Sequence, residues 1–412
     1  MRRNIFAVLL LAGAPVVLAA QQPLRWGDEL PQMVASPERL LSIGPRQQEP
    51  LDWPPPPLVV PPKSIRALYL NAWAFGSRRF YDIVKLAGGT QVNAFVVDVK
   101  DDTGYLTYGS RVPTAIQIGA NHALRAPDAR ARLRYLTAHG IYPIARIVVA
   151  KDPLLAANKP EWSVRSVHGG LWRDRLNFAW VDAFNDSVWV YAAQLAEEAV
   201  QMGFAEVQFD YVRFPDEPKS RLASAIFAAR RPGETVRDGV TRNLRLLGER
   251  VRRLGVPFTI DVFGMTTNVE QDMGIGQVWE DLVSMADVVL PMVYPSHYYH
   301  AMYGVSHPNS DPYRIVRGAL EDGLRRSRQL SGHTAEIRPY LQAFTLGRPR
   351  YTPVEVRAQI RAAADLGIRS WVLWNPRAVY DRSMLVETPA TVAVLPAAHR
   401  ANGGTSSFDQ SR

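Results

Sequence analysis

A unit of helix, glycine and apolar strand recurs along the chain, and it constrains the fold more than any other feature. In each copy a helical pattern of apolar residues ends, a glycine follows, and a strand-like apolar run begins. A glycine after a helix can adopt the left-handed backbone conformation that turns the chain into the next strand. The joints lie at Gly88 with Gly89, Gly140, Gly203, Gly255 and Gly367. Five such joints predict repeated strand–helix units and a parallel sheet.

Eight strand patterns occur in all, and a helical pattern or space for a helix follows each of them. The strands are expected near residues 65–71, 92–98, 142–149, 205–211, 257–262, 287–293, 336–343 and 369–374. The helices are expected near residues 78–87, 127–138, 187–202, 237–254, 277–285, 312–329 and 353–366. This order predicts an α/β fold of the (β/α)8 type, a TIM barrel. A doubly wound open sheet is the alternative, but residues 71–76 lack the glycine-rich phosphate turn that it favours.

The predicted loops are unequal in length. Long loops follow strands two, three, four and six, at residues 99–124, 150–185, 212–236 and 294–311. All of them lie at the carboxyl ends of the strands, where barrel enzymes build their sites. A barrel that lengthens only these loops is expected to form a cleft there.

The two ends of the chain differ in composition from the barrel at residues 64–385. Residues 1–20 have the basic start, short apolar run and small-residue cleavage pattern of a signal peptide. Residues 21–63 are a predicted Pro-rich linker, and residues 386–412 a flexible tail. We therefore expect a periplasmic or secreted protein, with an uncleaved N-terminal anchor as the alternative.

Charge and cysteine content narrow the chemistry and the partners. The 412 residues carry a net charge of +9 and include no cysteine, which excludes disulfides and a thiol nucleophile. The arginines between positions 230 and 253 flank an apolar helical stripe, so we expect them on the solvated face of a packed helix. The chain shows no nucleic-acid recognition motif, and we predict no nucleic-acid partner. The basic charge allows weak association with anionic envelope surfaces.

Carboxylates recur at the ends of predicted strands. Asp98, Asp210 and Asp261 close strands two, four and five, and in a closed barrel such strand ends converge on one mouth. Converging carboxylates are what glycosidic bond cleavage requires, one as acid and the other as nucleophile or base. We predict Asp210 as nucleophile or base, Asp261 as the preferred acid, and Asp98 or Asp101 in reserve. The structural alternatives are a buried Asp210 that bonds a loop, an Asp98–Lys100 ion pair, and a capping role for Asp261.

Other side chains near the predicted mouth are candidates for binding a sugar. Arg213 is expected to favour an ionised Asp210, and Trp374 to form the floor under a sugar ring. The full set of predicted substrate-binding residues is Lys100, Asp101, Arg146, Arg213, Tyr294, His297, Trp374 and Asn375. The sequence contains no zinc-protease, serine-hydrolase or phosphate-loop motif, and we predict neither a metal nor a cofactor.

With these residues in place, the chain resembles a bacterial family of glycoside hydrolases with a TIM-barrel core, formerly a domain of unknown function. The resemblance covers about residues 64–380 and is strongest at residues 203–215, which include Phe209-Asp210-Tyr211-Val212-Arg213-Phe214-Pro215. Further motifs lie at residues 97–101, 145–152, 180–182, 291–298 and 374–375. The resemblance implies a polysaccharide-processing barrel with Asp210 central. The chain lacks an obvious glutamate at the end of strand four or five, so the identity of the acid stays open.

We therefore expect an exported glycoside hydrolase-like enzyme acting on a bacterial envelope or extracellular polysaccharide. Two alternatives of other classes remain. A non-catalytic glycan-binding barrel would keep the cleft but lack a competent acid pair. An envelope scaffold would bind a protein partner through a large flat apolar patch.

Overall fold

The structure, a computed structural model, describes residues 59–386. The predicted signal peptide, most of the predicted linker and nearly all of the predicted tail lie outside the described residues. Within them, parallel strands close into a barrel, which confirms the predicted fold. The barrel strands are β1 (Arg66–Leu70), β2 (Ala94–Lys100), β3 (Tyr142–Val148), β5 (Glu206–Asp210), β7 (Phe258–Phe263), β8 (Val288–Met292), β9 (Glu336–Ile337) with β10 (Tyr340–Gln342), and β11 (Trp371–Trp374).

The barrel has eight strand positions, because β9 and β10 together occupy one of them. The hydrogen-bonded order is β10, β11, β1, β2, β3, β5, β7, β8, β9, and a pairing of Met292 with Tyr340 closes the ring between β8 and β10. All of these pairings are parallel. Two further strands, β4 (Arg165–Ser166) and β6 (Ala225–Ile226), form a short antiparallel ribbon outside the barrel.

Helices follow the barrel strands and cover the outside of the barrel. The longer ones are α2 (Arg79–Ala87), α4 (Ala129–Ala138), α6 (Asp186–Met202), α8 (Val236–Arg252), α9 (Trp279–Met285), α10 (Pro312–Ser327) and α11 (Pro353–Asp365). The short ones are α1 (Ala72–Gly76), α3 (Pro113–Gln117), α5 (Pro153–Asn158), α7 (Lys219–Leu222) and α12 (Arg382–Leu385). Local sequence fixes where α8 and α11 begin, because Thr235 and Thr352 form capping boxes with Asp238 and Glu355. Gly140, Gly203, Gly255 and Gly367 all have positive φ, as predicted for the joints.

Strand alternation divides the core into two layers. On β1 and β2, Leu68, Leu70 and Val97 pack outward in the layer between barrel and helices. Ala67 and Val96 point inward and pack in the barrel interior. At the amino end of the barrel, Arg338 lies 2.6 Å from Glu206 in a buried ion pair. The opposite, carboxyl end carries a larger polar cluster, which forms the candidate site.

The long connections lie on the carboxyl face, as the sequence predicted. They follow β2 (residues 101–128), β3 (149–185), β5 (211–235) and β8 (293–311). No helix within residues 59–386 combines the length and the apolar character needed to cross a membrane.

Candidate active site

One guanidinium occupies the centre of the barrel mouth. Arg146 on β3 donates from Nη1 to Asp98 Oδ1 at 2.5 Å and from Nη2 to Asp210 Oδ2. Its Nε lies 3.6 Å from Asp261 Oδ2. The four residues come from β2, β3, β5 and β7, which are consecutive in the barrel. The structure therefore brings the three predicted acids together around one cation.

Asp98 is held on both oxygens. Its Oδ1 binds Arg146, and its Oδ2 accepts a hydrogen bond from the Tyr69 hydroxyl at 2.5 Å. Burial raises the pKa of the Asp98 carboxyl, although the charge of Arg146 and both hydrogen bonds act in the opposite direction. Asp98 lies with its whole side chain inside the mouth, since only 2 % of the residue is exposed.

Asp261 is the carboxyl most strongly driven to its neutral form. Burial, and next the negative charge of Asp210, raise its pKa well above the ordinary value. Its Oδ2 accepts a hydrogen bond from Gln208 Nε2 at 2.9 Å. Its Oδ1 is buried and has no hydrogen-bond partner among the described residues. Three carboxylates around a single guanidinium leave excess negative charge, and a protonated Asp261 relieves it.

This arrangement predicts how an Asp261→Asn variant responds to pH. A carboxyl whose pKa is raised by folding stabilises the native state below its unfolded pKa, and that contribution is lost as pH rises through the folded pKa. Asparagine cannot ionise, so the variant should gain stability relative to wild type between pH 4 and pH 8. Each unit of pKa elevation corresponds to about 1.4 kcal/mol. Urea unfolding at both pH values measures the difference, and a difference that does not change with pH contradicts a protonated Asp261.

Asp210 lies where the backbone leaves the sheet abruptly. The next residue, Tyr211, has a φ of 53°, and its N–H donates to Asp210 Oδ1 at 2.5 Å. With Arg146 on Oδ2, both carboxylate oxygens have fixed partners. A left-handed conformation at a non-glycine residue costs on the order of 1 kcal/mol and occurs mostly at functional sites. The turn therefore orients the Asp210 carboxylate toward the mouth.

The ion pair with Asp210 is made by Arg146, while Arg213, which we expected to favour an ionised Asp210, acts on it only through its charge. The Arg213 side chain is buried, donates to the Phe214 carbonyl at 2.9 Å, and lies 4.5 Å from the centre of the Phe263 ring. Burial lowers the pKa of Arg213. Because the left-handed turn at Tyr211 redirects the chain, Arg213 packs among aromatic rings beside the mouth.

Lys100 is buried beside Asp152, and its role in substrate binding stays a prediction. The strand register shifts between Asp98 and Lys100, so Lys100 pairs with Ile147 and its side chain turns toward the helical layer. Its Nζ lies 2.5 Å from Asp152 Oδ2, and both residues are buried. Asp152 also caps α5 through the Leu155 N–H. The pair therefore anchors the loop that follows β2.

The Asn375 side chain likewise bonds the protein itself, here the backbone. Its Nδ2 donates to the Ala343 carbonyl at 2.7 Å, and its Oδ1 accepts from the Arg377 N–H at 3.0 Å. The side chain is buried and joins the chain segments that follow β10 and β11. Its role as a substrate-binding residue stays a prediction.

Aromatic rings form one wall of the mouth. Trp374 stacks on Tyr294 with ring centres 5.1 Å apart and planes 15° apart. Phe344 meets Trp374 edge-on at 5.1 Å, and Tyr69 lies 6.2 Å from it. Tyr294 is buried and Trp374 is half-buried. Trp374 is therefore the ring of this stack that a sugar can reach, and Tyr294 supports it from below.

His297 stands beside the stack in its neutral form. Burial lowers the pKa of His297 to about 4, so the ring carries no charge at neutral pH. Its Nδ1 lies 2.9 Å from Ser296 Oγ. A neutral imidazole can donate or accept a hydrogen bond to a sugar hydroxyl, and His297 stays a predicted substrate contact.

Several residues of the site were not among those predicted. Gln208 bonds the Tyr340 hydroxyl at 2.6 Å as well as Asp261, and Tyr69 holds Asp98. Strand alternation offered a signal for Gln208, because it lies two residues before Asp210 and so on the same face. Tyr69 and Tyr340 lie on β1 and β10, where nothing in the local sequence separates them from core residues.

A second aromatic group lies on the rim, after β1 and β2. Trp73 is 40 % exposed, and the Arg125 guanidinium covers it at 3.7 Å from the ring centre. Tyr105 is also exposed. Neither ring was predicted as a site residue, because their exposure and the stacking of Arg125 on Trp73 depend on how α1 and the connection after β2 fold.

No group of three or more metal-ligating side chains within residues 59–386 is arranged to hold an ion. The candidate acids are instead engaged by Arg146, Tyr69, Gln208 and the backbone. Their catalytic roles, like the absence of a cofactor, stay predictions.

Comparison with known proteins gives a family and a fold. Residues 67–380 match the family described as "Putative glycosyl hydrolase domain". A hypothetical protein from Ruminiclostridium thermocellum is 39% identical over 44% of this chain and 92% of its own, with a TM-score of 0.40. No curated protein matches the chain.

Two solved glycoside hydrolases are more distant in sequence. The PgaB (BpsB) glycoside hydrolase domain from Bordetella bronchiseptica is 15% identical, with a TM-score of 0.54 over 79% of this chain and 100% of its own. The alpha-galactosidase TtGalA from Thermus thermophilus is 15% identical, with a TM-score of 0.46 over 80% of this chain and 61% of its own. The likeness to the Bordetella domain supports the barrel fold.

Proposed function

Because the chain belongs to the glycosyl hydrolase domain family whose model it matches, we propose that it hydrolyses glycosidic bonds in a polysaccharide of the bacterial envelope or exterior. The basic and apolar pattern of residues 1–20 supports an exported location. An enzyme at such a location has access to polysaccharides of the envelope and of the exterior.

The observation that carries this proposal is the Arg146 cluster. Three carboxylates from β2, β5 and β7 surround one guanidinium at the carboxyl end of the barrel. Burying three acids together is costly for stability, and strongly perturbed carboxyls in a barrel mouth are typical of acid–base chemistry. If Arg146 served only to stabilise the fold through an ion pair, one acid would be enough.

Asp210 is the leading reactive carboxylate. Arg146 and the Tyr211 N–H each bond one of its oxygens and fix its orientation, while each oxygen keeps a second lone pair for reaction. Depending on its separation from the sugar, it attacks the anomeric carbon or activates a water. Asp98 affects the charge around Asp210. Asp261, in its protonated form, contributes as a neutral hydrogen-bonding group.

The exposed rings on the rim provide a prediction about binding. A Trp73→Ala change should weaken glycan affinity by about 5–20-fold, since a ring stacked on a sugar contributes on the order of 1–2 kcal/mol. Catalysis per bound glycan should change little, because the ring contact that the structure describes for Trp73 is with Arg125, which is not a member of the Arg146 cluster. Tyr81→Ala is a matched control, since Tyr81 is as exposed but lies on helix α2. Equal affinities of the two variants, measured by calorimetry, would contradict a glycan site at Trp73.

A polysaccharide panel tests the function itself. Purified protein is incubated with neutral, amino-sugar and acidic polysaccharides, and new reducing ends are measured. Asp281→Asn, which breaks an exposed ion pair with Arg237 on the helical shell, is the control variant expected to keep activity. Release of reducing ends from at least one polysaccharide supports a hydrolase. Retention of a glycan without any product favours the non-catalytic binding barrel.

A further inference from the structure

A general acid must reach the leaving oxygen, and the three acids bound to Arg146 are poorly placed for that. Asp98 and Asp210 have a partner on each carboxylate oxygen. Asp261 has Gln208 on Oδ2, and its Oδ1 is inaccessible to solvent. A proton donor needs a free oxygen within hydrogen-bond reach of the substrate, directly or through one water. The acid is therefore to be sought among other carboxyls of the mouth.

Asp101 has such a free oxygen. It lies three residues beyond Asp98, at the start of the loop after β2, and it is half-buried. Its Oδ1 accepts hydrogen bonds from the Thr103 N–H at 2.9 Å and from the Thr103 hydroxyl. No described residue bonds its Oδ2. One carboxyl oxygen is thus fixed by the loop, and the other is available to a ligand.

The loop that carries Asp101 is anchored at both ends. At its start, Lys100 is held by the buried ion pair with Asp152, and Leu106 at its end pairs back with Lys100. Gly104 between them has a φ of 89°, and a Cβ there would lie 2.1 Å from Asp152 Oδ1. Only glycine fits this position, so the loop packs tightly against the Lys100–Asp152 ion pair. Asp101 is therefore presented by a constrained segment.

The charges around Asp101 and Asp102 shift the pKa values of the two carboxyls in opposite directions. Burial, and next the charge of Asp102, raise the pKa of Asp101 to about 7. Burial would also raise the pKa of Asp102, but Lys151, 2.8 Å away, lowers it below the ordinary value. Asp98 adds a further negative charge, and Arg125 is the cation that acts on Asp101 from the segment before α4. Carboxyls in such opposed environments are typical of acid–base assignments.

We propose that Asp101 is the general acid of the reaction and donates its proton from the free Oδ2 to the leaving oxygen. The assignment rests on the proposed glycosidase function. It makes Lys100 and Asp152 positioning residues, because they anchor the loop without touching a substrate. Asp261 then serves as a neutral neighbour of Asp210, and its earlier prediction as the preferred acid gives way to Asp101.

The step balances with water as the only co-reactant. The bond between the anomeric carbon and the leaving oxygen breaks, its electron pair stays on that oxygen, and the oxygen takes the proton of Asp101. The anomeric carbon receives either Asp210 or a water oxygen, and in the first case water later displaces Asp210. Water supplies one hydroxyl to the sugar, and its remaining proton returns the carboxyl pair to its starting state.

Trp73 and Tyr105 give the leaving sugar a place next to this acid. Arg125 stacks on Trp73 and acts electrostatically on both Asp101 and Tyr105. The acid, the cation and the two exposed rings therefore belong to one section of the rim. We therefore place the leaving group on the Asp101 side of the mouth.

The test is the pH dependence of kcat/KM on the polysaccharide that wild type cleaves. Because the acid must be protonated, wild-type activity should fall as pH rises through about 7. Asp101→Asn should be slower by about 10²–10⁴-fold and should lose this alkaline limb. Its loss should be much smaller on a dinitrophenyl glycoside of the same sugar, whose leaving group needs no proton. Asp102→Asn should keep the limb but move it to lower pH, since a negative neighbour is removed.

Two results separate the outcomes. If wild type cleaves a polysaccharide and Asp101→Asn keeps both its rate within threefold and its alkaline limb, Asp101 is not the acid and the proposed function still holds. If wild type releases no reducing ends from any polysaccharide, both proposals fall together. Circular dichroism and the Tm of each variant check the fold, and Asp101→Glu, which retains a carboxyl, should restore part of the rate and the alkaline limb.

Discussion

Replacing Arg146 by methionine should lower the free energy of unfolding by about 3–5 kcal/mol at neutral pH and abolish turnover. Methionine fills much of the same space but leaves Asp98, Asp210 and Asp261 buried together without a counter-charge. The stability loss should shrink below about pH 4, because protonation of the carboxyls removes their mutual repulsion. Urea unfolding across pH 3–8 gives both numbers.

A second buried arginine provides the matched control. Arg338 pairs with Glu206 at the amino end of the barrel, away from the mouth. Arg338→Met should cost a similar amount of stability while each folded molecule keeps its wild-type turnover. If Arg146→Met keeps its activity, or costs less than 1 kcal/mol, the cluster does not have the role that we give it.

Asp210→Asn should reduce turnover by about 10³-fold or more and leave glycan affinity within a few-fold of wild type. The amide keeps the shape of the carboxyl and can still accept the Tyr211 hydrogen bond. It cannot attack an anomeric carbon or take a proton from water. The variant also loses its ion pair with Arg146, so activity is measured well below its Tm.

The fold could be predicted from the sequence because its signals are local and repeated. Gly140 and Gly203 each end a helix with the positive φ that directs the chain into a strand. The position of Asp210 followed as well, since a polar residue that closes an apolar strand of a barrel lies at the carboxyl mouth. Convergence of Asp98, Asp210 and Asp261 is a consequence of closing the barrel.

The partners of these acids could not be predicted, because they depend on register and turns. A one-residue shift after Asp98 moves Lys100 from the barrel interior to the helical layer. The left-handed turn at Tyr211 removes Arg213 from Asp210, and Arg146 reaches it from the neighbouring strand. Neither irregularity has a sequence signal such as glycine or proline at the position concerned.

Burial distinguishes acids that look equivalent in sequence. Asp261 lies in an apolar run and was predicted as the partner of Asp210, whereas Asp101 lies in a polar stretch. The structure encloses Asp261 beneath Gln208 and Arg146 and leaves Asp101 half-buried with one oxygen free. Access to a ligand is a property of the folded mouth, and residue type alone does not reveal it.

The most direct test of the proposed chemistry compares wild type and Asp210→Asn on one polysaccharide, with product and binding measured in parallel. Reducing ends report cleavage, and calorimetry reports glycan affinity. We predict continuous release of reducing ends by wild type, loss of that release in the variant, and similar affinity of both. Turnover of Asp210→Asn within tenfold of wild type would contradict a catalytic Asp210.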